Sequence, residues 1–187
     1  MSKFIIREIE NKDYERVLEI YAPYVRLTAI TFEYDVPSLE EYIKRLDDIR
    51  QEFPCLVCEA DGVVVGYAYA HKAYEKAAFG WDAEVTVYTD RSMTRKGVGT
   101  LLYNELIGIL KKQNMVKAYA LITGDNMRSK AFHEKYGFVL EGTLKKCGFK
   151  LGRWHDLDYY TLDIADQSYP PQMFIPYPKL KTMRKIK

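Results

Sequence analysis

The chain is poor in the residues that build disulfide and metal scaffolds: its 187 residues include three cysteines and three histidines. An odd cysteine count argues against a disulfide framework. Cys55 and Cys58 share the strand-like run Cys55-Leu56-Val57-Cys58-Glu59, in which residues three apart point to opposite faces. No second cysteine pair accompanies them, so small buried side chains are expected there and no metal is expected. An excess of one charge sign is also missing: the formal net charge is +2, which gives no reason to expect nucleic acid as a partner. No apolar run is long enough to span a bilayer. The opening Met1-Ser2-Lys3-Phe4-Ile5-Ile6 lacks the apolar core of a secretory signal, so a cytoplasmic chain with no membrane partner is expected.

What is present is ordinary globular composition, 48% hydrophobic and 29% charged, enough for one domain with a filled core. Phe4 to Ile9 reads as a strand. A helix follows, with Asn11 or Asp13 as cap and Val17, Leu18, Tyr21 and Val25 at helical spacing. Pro37-Ser38 introduces a second helix carrying Leu39, Tyr42, Ile43 and Leu46. Strands near 55–60 and 63–71 flank Asp61-Gly62, a hairpin turn, and Ala83 to Thr89 is a further strand. A helix over 98–112 with Leu101, Leu102, Leu106 and Leu110 on one stripe precedes a strand at Lys117–Thr123 and a helix at Asn126–Tyr136 closed by Gly137. Strands near 138–145 and 155–163 complete the pattern. The irregular alternation predicts an α/β fold of the α+β kind, with a mixed sheet rather than a doubly wound one.

The domain is expected over residues 1–166. From Gln167 to Lys187 the character changes, to four prolines, five basic residues and no acid. This basic tail is expected to pack irregularly on the surface; closing over a site or a second copy is the sharper alternative.

The segment Thr94-Arg95-Lys96-Gly97-Val98-Gly99-Thr100 lies between a strand and a helix. A glycine turn there exposes unpaired backbone N–H groups at the positive end of a helix, and Arg95 and Lys96 add charge, so the stretch reads as a phosphate cradle. It has neither the Walker spacing nor a third glycine for a dinucleotide fold. It follows Glu84-Val85-Thr86-Val87-Tyr88-Thr89 and precedes Asn126-Met127-Arg128-Ser129, a helix that ends in Gly137-Phe138. In this order the segments resemble the GNAT superfamily of acyl-CoA-dependent N-acyltransferases. Thr31-Phe32-Glu33, Phe53-Pro54, Trp81-x-x-Glu84-x-Thr86-Val87-Tyr88, His133-Glu134, Glu141-Gly142-Thr143-Leu144 and Gly152-x-Trp154-His155-Asp156 further resemble its phosphinothricin acetyltransferase branch, with matches over about 4–164.

The resemblance implies a central, mostly antiparallel twisted sheet flanked by helices, a homodimer, and acetyl transfer from acetyl-CoA to the primary amine of a small amino acid or analogue. Transfer would be direct, and no Cys/His pair or serine motif offers a nucleophile. Glu84 is expected as general base, since a protonated amine cannot attack until it loses a proton; a salt-bridged strand glutamate is the bland alternative. His133 stands where the superfamily often places the tyrosine that protonates the departing thiolate, against an ordinary helix histidine. Val87, Tyr88 and Thr89 are expected to pair with the pantetheine arm through their backbone, besides packing in the sheet. Arg95, Lys96, Gly97, Val98, Gly99 and Thr100 would take the pyrophosphate, with Arg91 and Arg128 as weaker candidates. Asn126 would bind the pantetheine arm or cap its helix. Phe32, Lys76 and Phe79 are expected at the acceptor, although the branch often has Arg and Tyr in the last two places. Thr94 departs from the usual Gln or Arg of the loop. His71 looks like a strand-end residue with no partner, and Trp154 and His155 are assigned no chemistry. Another acceptor amine (a polyamine, an aminoglycoside or a protein N-terminus) and a non-catalytic acetyl-CoA-binding module remain the alternatives.

Overall fold

Residues 3–93 and 95–185 are described by the computed structural model of the chain. Strand β1 (Phe4–Glu8) leads to helices α1 (Tyr14–Leu27) and α2 (Leu39–Arg50), then strands β2 (Cys55–Ala60), β3 (Val63–Lys72) and β4 (Asp82–Thr89). Helix α3 (Val98–Lys112), strand β5 (Lys117–Thr123) and helix α4 (Met127–Tyr136) follow, then strands β6 (Val139–Lys150) and β7 (Arg153–Asp163) and helix α5 (Tyr177–Lys185). The seven strands form one sheet in the order β1-β2-β3-β4-β5-β7-β6, antiparallel throughout except between β4 and β5.

Side-chain alternation along the strands divides the core into two layers. Cys55, Val57 and Tyr67 face Val17, Tyr21 and Val25 of α1 and Tyr42 and Leu46 of α2. Leu56, Cys58, Ala68 and Ala70 face the other way, onto Leu102, Leu106 and Leu110 of α3. The two cysteines therefore lie on opposite faces, as their spacing predicts. The sheet is small-sided under α3: a Cβ at Gly66 would come within 2.9 Å of Val98, so glycine lets the start of α3 sit down on β3.

Local chemistry accounts for the element ends. Asp61 and Gly62 both have positive φ, +50° and +83°, the two-residue turn expected of Asp-Gly. Ser38 caps α2 reciprocally: its hydroxyl accepts from the Glu41 N–H at 3.2 Å and the Glu41 carboxylate accepts from the Ser38 N–H at 2.8 Å. At α1 the expectation changes in detail. Asp13 does not cap with its side chain; its carboxylate instead accepts from Arg7 at 2.6 and 2.9 Å and from the Glu10 N–H at 2.8 Å.

Three expectations need revision. Leu101 is exposed, and the buried stripe of α3 is Val98, Leu102, Leu106, Ile109 and Leu110; Leu101 is one step of about 100° off that face. The last two strands form a hairpin longer than the alternation suggests, closed at Leu151 and Gly152, because bulges near Leu140 and between Leu144 and Gly148 break the period-two pattern. The tail is not irregular throughout. Residues Tyr177–Lys185 are helical, Leu180 is buried, and Phe174 stacks on Phe53 with ring centroids 5.2 Å apart.

That tail fastens the closed end of the one parallel pair. Strands β4 and β5 pair only at Asp82–Lys117, Ala83–Ala118 and Glu84–Tyr119. Just before these pairs the Val116 N–H donates to the Trp81 carbonyl at 2.9 Å, and the Trp81 indole N–H donates to the Gln172 carbonyl at 2.7 Å. The Asn114 amide donates to the Met173 carbonyl at 2.7 Å, and the Gln113 amide bridges the Glu52 and Ile175 carbonyls at 2.8 and 3.0 Å. Glu8 receives the Tyr177 hydroxyl at 2.8 Å and the Lys181 ammonium at 2.7 Å. Ending the chain at Asp166 removes every one of these contacts that a tail residue makes, from Gln172 to Lys181. Re-exposure of the partners of Leu180 alone is expected to cost about 2 kcal/mol, so urea denaturation should show a clearly lower midpoint for the truncated chain; an unchanged midpoint would mean the tail adds nothing.

Candidate active site

Beyond Glu84 and Tyr119, β4 and β5 part, and the gap becomes a cavity of about 320 Å³. Its walls include Glu84, Thr86 and Val87 of β4, Ala120 to Thr123 of β5, and Thr31, Phe32 and Glu33 from the α1–α2 connection. The β5-facing backbone groups of β4 past Glu84 have no strand partner in the β4–β5 register, so they can bind an amide-bearing ligand as an added strand would. A second cavity of about 510 Å³ continues from the end of β4 to the starts of α3 and α4. Ile30, Val87, Tyr88 and Asn126 line both.

The larger cavity gathers Val87, Tyr88, Thr89, Arg95, Gly97, Val98, Gly99, Thr100 and Asn126, together with Arg128. Gly97 occupies the N-cap of α3 with φ +84°, a conformation that glycine adopts without strain, and no side chain caps the helix. The first-turn N–H groups lack helical acceptors and open onto a cavity that two guanidinium-bearing residues line. Lys96 is not among the lining residues; its ammonium lies 3.6 Å from the Met93 sulfur. Thr94, the loop's departure from the usual residue, lies outside the described residues. Asn126 caps α4, its side-chain oxygen accepting from the Ser129 N–H at 3.2 Å, and the residue lines both cavities.

Glu84 lines the smaller cavity with its side chain 24% exposed. Burial raises its carboxyl above the ordinary range, and His71 opposes that shift. His71 is not without a partner, as the sequence suggested: it stands directly across from Glu84 in the β3–β4 register, with Nε2 3.8 Å from Oε1. The alternation of two antiparallel strands could have revealed this pair, had their register been known.

His133 lies at the wall of the same cavity, 4% exposed. Its Nδ1 is 2.7 Å from the Ser129 carbonyl, which can only accept, so Nδ1 carries the proton. Nε2 then accepts from the Tyr103 hydroxyl at 2.9 Å. Burial pushes the imidazole down to about 4 against the bond to Ser129. The ring is thus neutral with both nitrogens engaged, which does not suit the expected proton donor; its visible effect is to hold Tyr103.

Phe32 also lines this cavity, pressed onto β6 so closely that a Cβ at Gly148 would fall 2.6 Å from its ring. Lys76 and Phe79 line neither cavity. The turn at Ala77–Phe79 carries the β3–β4 connection towards Tyr74, on which Phe79 packs with ring centroids 4.6 Å apart. In their place the cavity contains Arg45 of α2, ion-paired to Glu33 at 2.6 Å. Nothing in the spacing of α2 marks Arg45 among that helix's other charged residues. His155 is buried, 3.0 Å from the Lys150 carbonyl and 3.3 Å from Asp125, a structural arrangement. Among the described residues no group of three or more His, Cys, Asp and Glu could hold a metal ion.

A mixed sheet whose one parallel pair splays open, with an uncapped glycine turn opening a helix beside the gap, defines the architecture of acyl-CoA N-acyltransferases. The acetyltransferase (GNAT) domain matches residues 6–158, and the chain belongs to this family of acetyltransferases. It is 32% identical to phosphinothricin N-acetyltransferase of Streptomyces viridochromogenes over 158 residues, 84% of this chain and 86% of that protein. It is 31% identical over 161 residues to the L-methionine sulfoximine/L-methionine sulfone acetyltransferase of Pseudomonas aeruginosa, 85% of this chain and 94% of the other. The crystal structure of a phosphinothricin acetyltransferase from Sinorhizobium meliloti in complex with acetyl-CoA superposes with a TM-score of 0.87 at 29% identity, covering 94% of this chain and 96% of that one.

The neutral His133 has a consequence for stability. Its folded pKa lies below its unfolded one, so its contribution is full above pH 6.5 and is lost as pH falls towards about 4. Over that interval the loss from His133 is about 3 kcal/mol. His133→Gln should flatten the stability profile between pH 6.5 and 4 in urea titrations; an unchanged slope would show that the ring is not buried neutral.

Proposed function

We propose that the enzyme transfers acetyl from acetyl-CoA to the primary amine of a small amino acid or analogue, of the phosphinothricin, methionine sulfoximine or methionine sulfone type. The observation that carries this reading is the largely buried Glu84 carboxyl, raised above its ordinary range by burial, in a cavity that shares a wall with the groove at the α3 turn. The names of the relatives support the acceptor class, and the acetyl-CoA complex of the Sinorhizobium meliloti enzyme supports the donor.

The residues fit the donor along its length. The N–H groups at the start of α3, with Arg95 and Arg128, would receive the pyrophosphate. The edge of β4 at Val87 to Thr89, which has no β5 partner, would receive the pantetheine amides. An N–H of the same edge would hold the thioester carbonyl and stabilise the oxyanion that develops on it. Glu84 takes the proton from the ammonium, directly or through a water; the freed amine attacks the carbonyl carbon, the carbon–sulfur bond breaks as the amide forms, and the thiolate leaves as CoA with the second proton shed by the attacking nitrogen. A carboxylate raised towards neutrality is a better match to this task than an exposed one. His133 acts as a positioning residue, fixing the Tyr103 hydroxyl at the cavity wall. A homodimer belongs to the same proposal: β6 is an edge strand, and its Val139, Leu140 and Leu144 are exposed.

Glu84→Gln is expected to lower kcat by about 100-fold or more at neutral pH, while the KM for acetyl-CoA stays near that of the parent enzyme. Because the base must be ionised, kcat/KM of the parent should fall as pH falls through the raised Glu84 pKa, and that limb should vanish in the variant. Unchanged turnover in a thiol-release assay would remove Glu84 from the chemistry.

A further inference from the structure

We infer that Arg45 receives the carboxylate of the acceptor, and that Glu33 is the counter-ion it leaves when the acceptor arrives. This rests on the amino-acid reading above and specifies how it is achieved. An amino acid brings two ionised ends into the cavity between β4 and β5. Its ammonium has Glu84. Its carboxylate, taken out of water, needs a cation. Among the residues lining this cavity Arg45 is the only lysine or arginine, and Lys76, the expected cation, is not one of them. His71 lines it too, but it already faces Glu84 at 3.8 Å.

The resting state of Arg45 suits such a hand-over. One guanidinium nitrogen meets Glu33 at 2.6 Å, which leaves most of the planar donor fork for a second carboxylate. The pair is partly solvated, with side-chain exposures of 38% and 33%, so trading one carboxylate partner for another costs little. The fork is held by its position 5.5 Å over the Tyr42 ring, itself fully buried.

Glu33 is fixed independently. Its N–H meets the Thr31 hydroxyl oxygen at 3.3 Å, and the Lys150 ammonium donates to the Thr31 carbonyl at 2.8 Å. Next to it, Phe32 is packed on Gly148. Arg45 therefore lies on α2 and Glu84 on β4, so different elements grip the two ends of the acceptor. An amine without a carboxylate would leave the Arg45–Glu33 pair intact and gain nothing from it.

The test compares one acceptor with and without its charge. Whichever of phosphinothricin, methionine sulfoximine and methionine sulfone is acetylated fastest is assayed beside its α-carboxamide, and the ratio of the two kcat/KM values is measured. In the parent enzyme the ratio should favour the acid. Arg45→Gln should reduce the ratio by tenfold or more, Arg45→Lys should reduce it less, and Lys76→Gln should leave it unchanged. Equal losses on acid and amide in Arg45→Gln, an unchanged ratio, or a collapse in Lys76→Gln instead would each overturn the assignment while leaving the proposed activity standing. If Arg45→Gln does not fold, Arg45→Lys decides, because it keeps the charge but loses the two-pronged geometry. Failure of the parent enzyme to acetylate any of the three acids would overturn both this inference and the proposed acceptor class.

Discussion

The rest of the molecule depends on a parallel pairing that stops early. β4 and β5 share only three residue pairs, and the cavity that Glu84 lines opens after the third. A longer ladder would satisfy the backbone of β4 and fill the cleft; a shorter one would leave Glu84 unsupported at the apex. The closed end is correspondingly well secured. Val116 is bonded to Trp81, Trp81 to the tail, and the tail to the ends of α2 and α3. The tail reaches this point although it lies beyond the segment matched to the acetyltransferase family. It lines neither cavity, so it supports the apex without covering the site.

Burial sets the electrostatics of the open end. It raises the carboxyl of Glu84 and lowers the imidazole of His133, because in both cases the charged form is the one that loses hydration. The outcome is a carboxyl raised above its ordinary range in the same cavity as a histidine that stays neutral. The charged groups proposed for recognition stand nearer the surface: Arg95 and Arg128 near the helix turn are exposed, and Arg45 and Glu33 at the far wall are partly exposed.

Much of the fold could be read from the chain because the periodic signals are local. The Asp61-Gly62 turn, the Ser38 cap, the opposite-facing cysteines and the Gly97 turn each depend on a few adjacent residues. What escaped was set by contacts distant in sequence. Leu101 looks as apolar as Leu102, and only the sheet decides which of them is buried. Bulges hid the full length of β6. The tail's helix and its docking depend on acceptors at Glu8, Glu52 and Gln113, more than sixty residues away. At the site, the residues expected to bind the cofactor come from one contiguous loop, one strand end and the start of α4, and all of them except Lys96 line the larger cavity. The smaller cavity draws Arg45 from α2 and His71 from β3, positions that depend on contacts distant in sequence, while Lys76 and Phe79 line neither cavity.

The central claim is that the parted edge of β4 receives the donor. Amide hydrogen exchange across Val85–Thr89, followed with and without acetyl-CoA, addresses it most directly. Unpaired N–H groups on this edge should exchange quickly in the free protein and slow markedly on addition of acetyl-CoA, together with those of the first turn of α3. Protection at the helix turn with no change along β4, or no protection at either, would contradict the account.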